Sequence, residues 1–126
     1  MTQLRQILSA FVLLCFACCG PAAAQSARKE RAAVANGEAV YLRVGCPACH
    51  GTVGQGGAGP RLAPGTLPPA AFAQWVRNGT PNFSFGSGMP AFPASAISDA
   101  DLADVRAYLA SVPKPPPVAD IPLLAR

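Results

Sequence analysis

Leu102, Val105, Leu109 and Val112 recur at steps of three and four residues, with Tyr108 beside the stripe. That spacing is the mark of one apolar helix face. Ser98 stands ready to cap this helix, with Asp101 three residues on and Asp99 also in the first turn; acidic groups there complement the free backbone N–H groups. A second helix is predicted from Leu67 to Asn78, with Pro68 and Pro69 tolerated in its first turn and Gly79 placed to end it. A third is predicted over Glu38 to Val44, with Ala39, Val40, Tyr41 and Val44 as its apolar positions and Asn36 as its cap. Between the helices lie glycine- and proline-rich stretches, among them five glycines between His50 and Pro60 and a second irregular loop over 80–96. No segment alternates with strand periodicity. The pattern predicts a small all-α fold of three to four helices with long loops.

The N-terminal apolar run is different in kind. Ile7 to Cys19 carries no charge, Arg5 precedes it, and Gly20, Pro21 and three alanines follow. Thirteen residues fall short of the roughly 20 that a membrane span needs. Basic flank, apolar centre and Ala22-x-Ala24 together predict a secretory signal peptide over 1–24, cut before Gln25. Retention as an anchor, or lipidation at Cys18 or Cys19, are alternatives; Cys15 occupies the position where a lipidation site requires Leu. A flexible lead over 25–35, a domain over 36–112 and a proline-rich tail over 113–126 follow. The chain is 51% hydrophobic and 13% charged, and the leader accounts for much of that imbalance. Removing 24 of 126 residues leaves 102, enough for one domain, and losing Arg5 leaves nine basic residues against six acids. A net +3 without any block of like charge argues against a nucleic-acid partner. Cys15, Cys18 and Cys19 also leave with the leader, so Cys46 and Cys49 remain.

Those two cysteines stand in Cys46-Pro47-Ala48-Cys49-His50, the pattern of covalent c-type haem attachment. Two thiols three residues apart reach two vinyl positions on one porphyrin edge, and the adjoining His50 then lies beneath the iron. Attachment takes place in an oxidising compartment outside the cytoplasm, which agrees with the leader. Three other readings use the same residues. A thiol–disulfide oxidoreductase places its first cysteine at the start of a helix, but His-Gly-Thr-Val-Gly-Gln-Gly-Gly after Cys49 is no helix. A zinc site requires four ligands and has three residues here. A plain disulfide is the third. Because His50 is the one histidine, two histidine ligands from this chain are impossible. After processing Met89 is the one methionine; it lies 39 residues beyond His50 in Gly-Ser-Gly-Met-Pro-Ala-Phe-Pro and is the candidate sixth ligand. Packing in the core is its alternative.

The attachment motif, the Met-Pro loop and the order of first and last helices resemble the class I cytochromes c, over roughly Asn36 to Val112. The resemblance implies a cytochrome c fold around one covalent haem c, with Cys46 and Cys49 as thioethers and iron between His50 and Met89. It implies that the Pro60 carbonyl accepts a hydrogen bond from the other nitrogen of His50, a contact that orients a ligand and tunes a metal. It also implies that Gly37 and Tyr41 pack across the last helix near Val105 and Tyr108. Tyr41 stands five residues before Cys46, where four is commoner in the family. Arg61 and Trp75 are candidates for the haem carboxylates, with ordinary surface or packing roles as alternatives. Phe72, Phe83, Phe85, Phe92 and the last helix are expected to form the apolar wall.

An iron with both axial positions filled moves single electrons and offers no site for oxygen or peroxide, so no enzyme is expected. The expected role is a periplasmic carrier between a dehydrogenase and a downstream cytochrome or oxidase, with membrane contact only through such partners. A dedicated haem subunit of a periplasmic dehydrogenase is the alternative within this class. Outside it stand a haem ligand sensor or weak peroxidase, and the thiol–disulfide oxidoreductase.

Overall fold

The structure is a computed structural model that describes residues 2–80 and 88–124, the first twenty of them as backbone. Four α-helices, α1 (Thr2–Arg43), α2 (Pro47–His50), α3 (Pro69–Asn78) and α4 (Asp99–Ser111), are followed by a short 3-10 turn at Val118–Asp120. Strands are absent among the described residues, and the all-α reading stands. The chain divides into two compact units, Met1–Ala32 and Ala33–Arg126. No described helix is long and apolar enough to cross a membrane.

Two expectations about the first helix are corrected. The 25–35 lead is helical rather than flexible, and Asn36 lies inside α1 rather than capping it. Gln25 to Ala35 contains four alanines and four of Arg, Lys and Glu, all good helix formers, with no glycine or proline to stop the helix. The Asn36 side chain turns instead toward α4, donating to Asp101 Oδ1 (3.0 Å) and Asp104 Oδ2 (2.8 Å).

The second unit is organised where α1 meets α4. A Cβ on Gly37 would overlap the carbonyl of Asp104 and crowd the amide of Val105, so the two backbones meet at a point only glycine allows. One turn later, the fully buried Tyr41 ring packs against Tyr108 at a centroid distance of 5.6 Å. Val40, Tyr41, Leu102, Val105, Tyr108 and Leu109 form the centre of the core, which Phe72 and Val76 of α3 and Ile97 extend. α4 starts as its sequence predicts: the Ser98 hydroxyl accepts from the Asp101 amide at 3.0 Å. It stops at Ser111, so Val112 lies just beyond the helix yet still packs on the core. α3 begins at Pro69 and ends at Gly79, whose φ of 65° turns the chain out of the helix while its N–H bonds the Trp75 carbonyl.

Candidate metal centre

The Cys-Pro-Ala-Cys-His segment forms a single helical turn, Pro47–His50, between Gly45 and Gly51, both of which have positive φ. Cys46 stands at the head of this turn, but the helix ends at His50 and nothing helical continues it, so a single turn is all the N-terminal field the thiol has. Burial in fact pushes the Cys46 thiol up, opposite to what a nucleophilic cysteine needs. Cys46 and Cys49 are both free thiols, the first partly buried and the second exposed. The plain-disulfide reading does not hold here, and no cluster of three metal-ligating side chains occurs among the described residues.

His50 is buried, and its Nδ1 lies 2.9 Å from the carbonyl oxygen of Pro60. A carbonyl oxygen can only accept, so this bond places the imidazole proton on Nδ1 and the free lone pair on Nε2. That is the tautomer required of a histidine that binds a metal through Nε2. The loop from Gly51 to Leu62 is built to hold this contact. Gly59 lies so close to the ring that a Cβ there would stand 2.8 Å from its Cε1. The amide of Gly59 bonds the Cys49 carbonyl (2.7 Å), the amide of Gly56 bonds the His50 carbonyl (2.8 Å), and the amides of Leu62 and Ala63 both reach Gly54. From below, the Tyr41 hydroxyl donates to the Gly51 carbonyl at 2.7 Å, and Tyr108 reaches the Thr52 carbonyl at 3.4 Å. Burial, with smaller contributions from Cys46 and Tyr108, pushes the Tyr41 phenol up to about 12. It therefore stays a neutral donor at any physiological pH.

Met89 is partly buried and packs against the core. Its backbone is tied to the end of α3: the Thr80 amide donates to the Met89 carbonyl, and the Met89 amide donates to Thr80 Oγ1, each at 3.0 Å. Three residues on, the Phe92 amide bonds the Val76 carbonyl, and Arg77 donates to the Phe92 carbonyl while pairing with Asp99 at 2.6 Å. Thr80 carries no motif, and only the fold reveals its part. Of the expected wall, Phe72 is buried and Phe92 packs on the core; Phe83 and Phe85 lie outside the described residues. Leu62, Phe72 and Leu109 line a cleft of about 230 Å³ together with Arg61 and Arg106, while Trp75 is exposed on α3. Arg106, which donates to the Leu67 carbonyl, is a second cation beside that cleft that sequence alone did not single out.

Residues 32–109 match the family described as cytochrome c oxidase, cbb3-type, subunit III. The chain belongs to this family of c-type cytochromes. It is also 40% identical over 80 residues to the 4-cresol dehydrogenase [hydroxylating] cytochrome c subunit of Pseudomonas putida, a match covering 64% of this chain and 63% of that protein. The chain thus spans less than two thirds of the relative it matches. No solved structure matches. As a c-type cytochrome the protein carries electrons on covalently bound haem c and its iron, and the donor set suits that group. Two free thiols stand four and one residues before a buried imidazole whose tautomer leaves Nε2 available, and the cleft lined by Leu62, Phe72 and Leu109 carries two arginines, Arg61 and Arg106.

Proposed function

We propose that the chain is exported to the periplasm, loses residues 1–24 there, and passes single electrons between a dehydrogenase and a downstream cytochrome or oxidase. In this reading Cys46 and Cys49 hold the haem, and His50 and Met89 are its axial ligands. The bound haem supplies an iron that alternates between ferric and ferrous. What the chain supplies is constancy around it: Pro60 holds the His50 ring in one orientation, Thr80 holds the Met89 backbone, and the core excludes water from the apolar side. The observation that carries the reading is the His50–Pro60 contact, because it prepares Nε2 as a ligand before any metal arrives. The test is an absorption spectrum, oxidised and reduced, of protein exported in a host with haem-maturation machinery. A c-type reduced spectrum with a weak red sulfur-to-iron band in the oxidised form supports it. A c-type spectrum without that band removes Met89 from the iron and favours a ligand sensor or weak peroxidase. No haem at all sinks it.

A second reading, a dedicated haem subunit of one dehydrogenase, is supported by the relative's own description as a dehydrogenase subunit. The tail gives it a physical handle. Pro115, Pro116 and Pro117 make a semi-rigid arm, and Val118, Leu123 and Leu124 beyond it are exposed. Deleting 115–126 and measuring affinity for a purified dehydrogenase that the cytochrome oxidises separates the two. A weakened complex supports the subunit; unchanged affinity leaves the diffusing carrier.

A further inference from the structure

We infer that Thr80 is the positioning residue for the sixth iron ligand, its hydroxyl acting as the latch that keeps the Met89 backbone in place for coordination. The inference rests on Met89 being that ligand.

Met89 has one backbone donor and one acceptor, and Thr80 satisfies both, at 3.0 Å each. The two bonds differ in kind. The bond from the Thr80 amide to the Met89 carbonyl is available to any residue but proline. The bond from the Met89 amide requires an oxygen on the side chain at position 80. The surroundings leave the segment little alternative. Gly79 is buried, and a Cβ there would stand 2.9 Å from the Ala91 amide and 3.0 Å from the Pro90 carbonyl carbon, with the Met89 carbonyl closer still. Pro90 has no N–H and needs no partner. Phe92 is anchored at its amide by Val76 and at its carbonyl by Arg77. Residues 89–92 therefore lie along the C-terminal end of α3, and Thr80 is the contact nearest the ligand. Met itself is the most adaptable of apolar side chains, with three rotatable bonds and no fixed shape. Its sulfur is placed only as well as its backbone is. A thioether is also a weak ligand, so a small backbone displacement trades it for a competing nitrogen.

The test compares Thr80→Val, which keeps shape and β-branching but removes the acceptor, with Thr80→Ser, which restores it. Both are made as exported holoprotein. Two readouts are taken on the ferric form, the red sulfur-to-iron band and the affinity for added imidazole, and urea unfolding by circular dichroism is the control. Thr80→Val is expected to weaken the band and raise imidazole affinity about tenfold, the size expected when one half-buried donor loses its partner. Thr80→Ser is expected to return both to near the parent values. If the parent shows the band and Thr80→Val leaves imidazole affinity unchanged, the latch is overturned while the ligand stands. The latch is equally overturned if Thr80→Ser fails to restore affinity at parental unfolding stability. If the parent itself lacks the band, the ligand assignment fails and the latch with it. Should Thr80→Val not mature, Thr80→Ala against Thr80→Ser gives the same comparison.

Discussion

Gly59 approaches the His50 ring too closely to carry a side chain, and this approach goes with the Pro60 carbonyl standing 2.9 Å from Nδ1. A hydrogen bond at that nitrogen makes the opposite one more basic and favours the ferric state. A methyl group at 59 would stand 2.8 Å from Cε1, 2.9 Å from Nδ1 and 3.3 Å from the Cys49 carbonyl. With backbone on one side, the ring is the part that gives. Gly59→Ala is therefore expected to weaken the bond and raise the reduction potential, by up to about 59 mV if the balance of the two iron states shifts tenfold. Potentiometric titration checks it; a lowered potential would contradict the role given to Pro60.

The crossing of α1 and α4 makes an equally pointed demand on Gly37. No side chain is there to yield, because the atoms a Cβ would meet belong to the Asp104 and Val105 backbone. Gly37→Ala raises helix propensity by about 1 kcal/mol, yet separating two packed helices costs roughly 1–3 kcal/mol and also loosens the Tyr41–Tyr108 contact. Net destabilisation is expected in urea unfolding. Stabilisation would mean that the helices do not cross there.

How much of this was legible in the sequence depended on how local each feature is. The α4 cap needs only Ser98 and Asp101, three residues apart, and the α3 stop needs only Gly79. The haem motif lies within five residues. Asn36 reads as a cap because Asn before an apolar run is an ordinary cap signal, whereas its partners Asp101 and Asp104 are 65 and 68 residues away. The lead before it reads as linker because it is polar, although alanine-rich polar sequence without glycine or proline is also good helix. The Thr80–Met89 latch spans nine residues across a loop, and neither residue type announces it. The resemblance, which puts Gly37 and Tyr41 against the last helix, conveys a long-range contact that periodicity cannot supply.

Asn36 gives a pH dependence whose sign follows from its position. Its donation, then that of the Ser98 hydroxyl, holds the Asp101 carboxyl below the usual carboxylate range. A carboxylate with a depressed folded-state pKa stabilises fully above its unfolded value, about 3.9. That contribution is lost as pH falls through the lower folded value. Asn36→Ala removes the largest cause. The variant is expected to be less stable than the parent at pH 6, and the two urea midpoints should converge as the pH is lowered below 3. Parallel curves across that range would place the effect of Asn36 in packing rather than in charge.

Met89 gives the sharpest separation between an electron carrier and a haem protein with an open site. A thioether stabilises ferrous iron relative to harder ligands, so its removal should lower the potential. If Met89 is instead core filler, Met89→Ala costs stability, about 2–5 kcal/mol for a well-packed site, and leaves the iron unchanged. Met89 is only partly buried, so that cost should fall at the low end. On the proposed ligation, Met89→Ala lowers the potential, abolishes the red sulfur-to-iron band and lets imidazole bind at concentrations that leave the parent untouched. Met89→His should then restore a closed six-coordinate iron at a low potential, without the band. A Met89→Ala protein whose potential, spectrum and imidazole affinity all match the parent would exclude Met89 as a ligand.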